Sequence, residues 1–185
     1  RSRTRRTEKA RIERIMAIGR RTAAAMDPQL KKIPHDDLLY DELGLPTTSV
    51  RPFNVYGPGQ IGGGAIRAFI EAALAGSDLV IHGDGSQIRA WCYVDDMVEG
   101  TLACLEHPGA SGQTFNIGNP RATVTIYDLA QRIRRLTGAD VEITFQPLHY
   151  ADVELRIPNV EKAREVLGFE AKVDLDEGLE KTIAW

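Results

Sequence analysis

A glycine-rich turn that follows a strand and opens a helix is the stretch of this sequence best equipped for chemistry. Residues 47–50 are strand formers and run into Arg51-Pro52-Phe53-Asn54-Val55-Tyr56-Gly57-Pro58-Gly59-Gln60. Gly62, Gly63 and Gly64 then precede an apolar-periodic helix over residues 65–75. That order delivers Asn54 and Tyr56 to the carboxyl end of a strand. It also turns the backbone N–H groups of Gly63 and Gly64 toward a helix start, which suits a phosphate-bearing small molecule. Gly57 to Gly62 satisfies the G-x-G-x-x-G spacing of a dinucleotide-binding turn, and Asp84 follows the next strand where a ribose-binding acid would lie. Against that reading, Pro58 removes a donor inside the turn, and three extra residues separate the motif from the helix.

Other candidates for chemistry are weaker. His35, His82, His107 and His149 are scattered, and none has a second ligand at metal-binding spacing, so a metal site is not expected. Cys92 and Cys104 are too few for a disulfide framework and lack a neighbouring histidine; both read as buried, reduced thiols of a cytoplasmic protein. Asp95 and Asp96 look like paired acids, but capping of the helix that follows explains them better.

The elements that position these residues alternate between strand and helix. Helices are expected over residues 65–75, 94–106, 125–136, 160–167 and 175–183, with strands over 79–82, 114–117 and 141–145. Gly76, Gly138 and Gly168 stand at helix ends. Upstream, residues 8–26 form an amphipathic pattern and residues 36–43 the last turns of a helix closed by Gly44 and Pro46. The fold class is α/β with short parallel strands.

The chain of 185 residues, 43% hydrophobic with a net charge of −3, is long enough for one sizeable core. No apolar run reaches membrane-spanning length. The net charge conceals an asymmetry of +8 over residues 1–32 against −11 over the rest. The expected division is a basic, partly disordered helical arm over residues 1–34 and a globular domain over 35–185. Nucleic-acid binding through the arm is an alternative function, but no aromatic interleaves its arginines to stack on bases.

Four blocks in order, RPFNVYGPGQ, GDGSQIRAWCYVDD, FNIGNP and ELRIPNVEKAREVLGFEAKVDLDEGLEKTI, resemble the extended short-chain dehydrogenase/reductase family, in its branch of NAD-dependent sugar-nucleotide epimerases, dehydratases and decarboxylases. The likeness covers residues 43–185. It implies the substrate-side part of an extended Rossmann-type fold and a nucleotide-sugar ligand, with a UDP- or dTDP-sugar 4-epimerase as the leading activity. It further implies that Asn54 donates its amide to a phosphate or sugar oxygen, and that Gly63 and Gly64 present N–H groups to phosphate. Arg89 and Arg156 would clamp the diphosphate with planar guanidinium forks that cannot lose their charge. Tyr93 and residues 79–82 would stand at the base-binding wall.

The family's chemistry runs through NAD, a tyrosine base and a lysine that lowers its pKa. No tyrosine here has a lysine four residues on, and the cofactor-binding half has no counterpart, so NAD is not expected to bind this chain alone. No catalytic residue is assigned. A non-catalytic sugar-nucleotide-binding module is the competing reading. The strand over 47–53 would lack sheet neighbours, which predicts self-association or a partner covering its edge.

Overall fold

In a computed structural model, the described residues are 47–149 and 152–185. The expected basic arm, its helix over 8–26, the helix end over 36–43 and the boundary at 34/35 lie outside them. The chain divides into two units, residues 1–46 and 47–185.

The second unit alternates short strands with helices. Parallel pairs join β1 (Thr48–Pro52) to β6 (Gln113–Ile117), β2 (Val55–Tyr56) to β5 (Cys92–Tyr93), and β3 (Leu79–His82) to β8 (Ile143–Gln146). A three-stranded group adds β4 (Ile88–Ala90), antiparallel to β7 (Thr123–Thr125) on one side and parallel to β9 (Leu155–Arg156) on the other. The helices are α1 (Ala65–Leu74), α2 (Val94–Glu106), α3 (Ile126–Thr137), α4 (Glu161–Leu167) and α5 (Leu175–Ile183). The α/β class with parallel strands holds, and the β4–β7 pair adds an antiparallel element that alternation alone did not signal. Among the described residues β1 has β6 as its one strand partner.

Burial follows the helix periods. Ile66, Phe69 and Ile70 of α1 and Leu129 and Ile133 of α3 close over Leu79 and Ile81 of β3, together with Tyr56 and Leu179. Phe115, Ile117, Cys104 and Ala163 form a second cluster under α4. Thr125 caps α3 by accepting the Asp128 N–H at 3.0 Å, and Gly138 ends it in the left-handed conformation at φ 66°.

Asp96 is not the cap of α2, whose capping position is Tyr93. Its carboxylate is buried and accepts the backbone N–H groups of Lys172 and Val173 at 2.9 and 3.0 Å. Those two donors lie in an extended segment whose N–H groups find no strand, so the acid supplies what a sheet would have. Asp96→Ala should therefore destabilise the unit by about 3 kcal/mol, the order expected for two charge-assisted bonds and two orphaned donors. Urea unfolding followed by circular dichroism would measure it; a loss within about 0.5 kcal/mol, the range of an ordinary surface change, would refute the role.

Candidate functional site

The turn between β1 and β2 is built around Asn54, the one non-glycine described residue at positive φ, 38°. Asparagine tolerates this region because its short polar side chain bonds locally. Here Nδ2 donates to Ala90 O at 2.8 Å and the Asn54 carbonyl accepts the Cys92 N–H at 3.1 Å. The side chain thus staples the turn to the β4–β5 strand, and one amide hydrogen expected to meet a ligand is already taken. Gly57 is required by close approach, since a Cβ there would fall 2.6 Å from a Val94 methyl.

Asn54, Gly63, Gly64, Arg89 and Arg156 all line one cavity of about 370 Å³, with Gln60, Trp91, Ile126 and Asp152. The register brings the two arginines together: β4 and β9 run parallel with Arg89 opposite Arg156. Paired positions on adjacent strands share a face. The Arg89 guanidinium is buried, donates to Asp152 at 2.9 Å and reaches the Ile88 and Glu154 carbonyls at 3.0 and 3.4 Å. Arg156 is exposed and forms no ion pair among the described residues.

A second cavity, of about 540 Å³, shares Gly64, Ala65, Ile126 and Asp152 with the first, so the two are adjoining parts of one crevice. Its walls are largely apolar: Ala68, Phe69 and Ala72 of α1, Val80 and Ile81 of β3, and Leu148, joined by His82 and Gln87. Val80, Ile81 and His82 therefore face the same crevice as Asn54, whereas Leu79 is buried in the core.

Tyr93 does not. It is buried in the core, edge-on to Tyr56 at 5.6 Å between ring centroids, with the Lys181 ammonium 5.4 Å above its ring. Period-two alternation would have put Tyr93 and Trp91 on one face, but the strand breaks between β4 and β5, and Trp91 takes the cavity position. Tyr56 is also core: its hydroxyl donates to Leu175 O at 3.2 Å, and burial, then the neighbouring Tyr93, raises its pKa.

Three buried side-chain atoms have no hydrogen-bond partner among the described residues: Gln60 Oε1, Gln87 Oε1 and Trp91 Nε1. All three residues line the crevice. Sequence reasoning passed over them, and over Asp152. The one available signal was the tryptophan, whose N–H must find an acceptor when buried.

The dinucleotide reading of the turn does not fit. Helix α1 starts at Ala65, three residues past Gly62, and β2 pairs with β5 rather than with β3. The Asp84 carboxylate is exposed, accepts the Ser86 N–H and hydroxyl at 2.9 and 2.6 Å, and has its pKa lowered by them. The described residues thus do not make an NAD fingerprint site.

The layout defines a Rossmann-type α/β chain with a crevice at the carboxyl ends of its strands. Residues 38–118 match the NAD dependent epimerase/dehydratase family. A UDP-N-acetyl-alpha-D-glucosaminuronate decarboxylase of Bacillus cytotoxicus is 38% identical over 77% of this chain and 46% of its own length. The solved UDP-glucose 4-epimerase of Thermotoga maritima, with UDP-glucose, is 39% identical, covers 77% of this chain and 46% of its own, and superposes with a TM-score of 0.73. The UDP-glucuronic acid 4-epimerase of Bacillus cereus, in complex with UDP-glucuronic acid and NAD, is 28% identical over 80% and 47%, with a TM-score of 0.75.

The chain is thus similar to the NAD dependent epimerase/dehydratase family, within the extended short-chain dehydrogenases/reductases, and NAD is the cofactor of that family. It spans about half the length of the relatives it matches. No described helix is long and apolar enough to cross a membrane.

Burial pushes the Cys92 thiol up to about 12 and the Cys104 thiol up to about 11, from an ordinary 9.0. Neither is a nucleophile near neutrality. Thiols that keep their protons when folded and release them when unfolded favour the native state below pH 9.0, and that advantage is lost as pH rises from there toward 11–12. A thiol reagent at pH 8 should label neither cysteine until the chain is unfolded; labelling of the native chain at the unfolded rate would contradict the burial.

Proposed function

We propose that residues 47–185 form the nucleotide-sugar-binding part of a UDP-sugar epimerase or decarboxylase. The single observation that carries this is the register pairing of Arg89 with Arg156 on the face of a cavity that adjoins an apolar one. A diphosphate needs fixed donors, and a nucleobase needs flat apolar walls with a few polar groups. The crevice offers both, side by side. Gln87 Oε1, an unpartnered acceptor in the apolar cavity, suits an N–H of a pyrimidine dione such as uracil. Gly63 and Gly64, at the start of α1, present backbone N–H groups to phosphate.

The relatives named above act on or hold UDP-sugars, which supports UDP as the nucleotide. Among the described residues β1 pairs with a strand on one side only, which supports self-association or a partner strand. The nucleic-acid reading gains no support from the described residues.

Calorimetric titration of the chain with UDP and UDP-glucose tests the proposal. Arg156→Ala should weaken both by about tenfold, the loss of one charge-assisted contact of about 1.5 kcal/mol. Arg156 is exposed, so the variant should fold normally. Unchanged affinity would remove Arg156 from the diphosphate site.

A further inference from the structure

The orphaned donor of Trp91 and the orphaned acceptor of Gln60 lie in the wall of the same cavity as the two arginines. The indole is 8% exposed and its backbone N–H is already satisfied by Ala122 O at 3.0 Å. Gln60 is held from three sides: its backbone N–H donates to Gly57 O at 3.3 Å, its carbonyl accepts from Arg67 at 3.2 Å, and its Nε2 donates to Gly63 O at 3.4 Å. Its Oε1 is what remains. The pair is fixed in place and unsatisfied.

The chemistry of the missing partner follows from the two atoms. An indole N–H only donates and an amide oxygen only accepts. An ionised diphosphate carries acceptors alone and leaves Gln60 unsatisfied; an ionised uronate carboxylate fails in the same way. A base would have to leave the apolar half of the crevice. A hydroxyl both accepts and donates, so adjacent hydroxyls of a sugar ring satisfy both atoms together.

We propose that Trp91 and Gln60 read the hydroxyls of the sugar, the indole N–H donating to one hydroxyl oxygen and Gln60 Oε1 accepting a hydroxyl proton. This rests on the nucleotide-sugar reading of the crevice and places the hexose beside Gln60 and Trp91. A site whose buried polar groups need the ligand's hydroxyls rejects a ligand that lacks them.

The test titrates the 185-residue chain, and its Trp91→Phe and Gln60→Leu variants, with UDP-glucose and with UDP. Each variant should weaken UDP-glucose by about tenfold and leave UDP within about twofold, as expected for one lost neutral hydrogen bond and its orphaned partner. Equal losses for both ligands would put the indole on the diphosphate and overturn the proposal, as would no loss for either. Wild-type chain that binds UDP, but UDP-glucose no more tightly, would overturn the sugar assignment and leave the nucleotide site standing. Failure of wild type to bind UDP would overturn both.

Should Trp91→Phe not fold, Trp185→Phe removes the only other tryptophan, an exposed terminal residue, and leaves Trp91 as the sole indole. Its side-chain N–H resonance in a proton–nitrogen correlation spectrum should move on addition of UDP-glucose and stay in place with UDP. A shift of equal size with UDP would refute the assignment.

Discussion

A buried guanidinium must be paired, and the crevice is arranged around that requirement at Arg89. Burying one charge alone costs several kcal/mol, and the cost is offset only when the partner carboxylate and further acceptors are well placed. Asp152 at 2.9 Å, with the Ile88 and Glu154 carbonyls, supplies them. Two of these three acceptors come from the segment just before β9. Satisfying Arg89 therefore draws that segment alongside β4, and the parallel register then sets Arg156 opposite Arg89. The second arginine of the cavity is a consequence of how the first is paired.

The same pairing sets the charge of the site. With Asp152 against it, Arg89 is locally neutral, and Arg156 carries the net positive charge of the cavity. In the proposed site a diphosphate would be attracted by Arg156 and oriented by Arg89, whose remaining donors are held rigid by its neighbours. Rigid donors lose little rotamer freedom on binding, which is where a preformed site gains affinity.

The helices were legible because each buries one stripe. Val94–Glu106, Leu175–Ile183 and the strand Leu79–His82 were read from the sequence at their observed bounds, and α1 and α3 within one residue. The two- and three-residue strands β2, β4, β5, β7 and β9 were not, because no period can be read from so few residues. That is also why Tyr93 was placed at the ligand and Trp91 overlooked: the face a side chain takes depends on a strand break that leaves no mark in the sequence. Asn54 and the glycines were legible in the strand-turn-helix pattern, whereas the arginines were found through the resemblance, which carries positions across folds without needing local geometry. Asp96 was misassigned for a related reason. A helix-start acid is ordinarily a cap, and only the tertiary approach of residues 172 and 173 gives it a different task.

Unsatisfied buried polar atoms usually cost about 1–3 kcal/mol each, and native structures keep few of them. The core of this unit is conventional: its hydroxyls and amides, from Tyr56 to Asn119, find backbone partners. The exceptions at Gln60, Gln87 and Trp91 fall together along one crevice, spread over its polar and its apolar half. A packing defect would have no reason to select the cavity walls. A ligand with a base at one end and hydroxyls at the other would satisfy all three. A purely apolar occupant would leave them unpartnered, so the crevice is matched to a polar one.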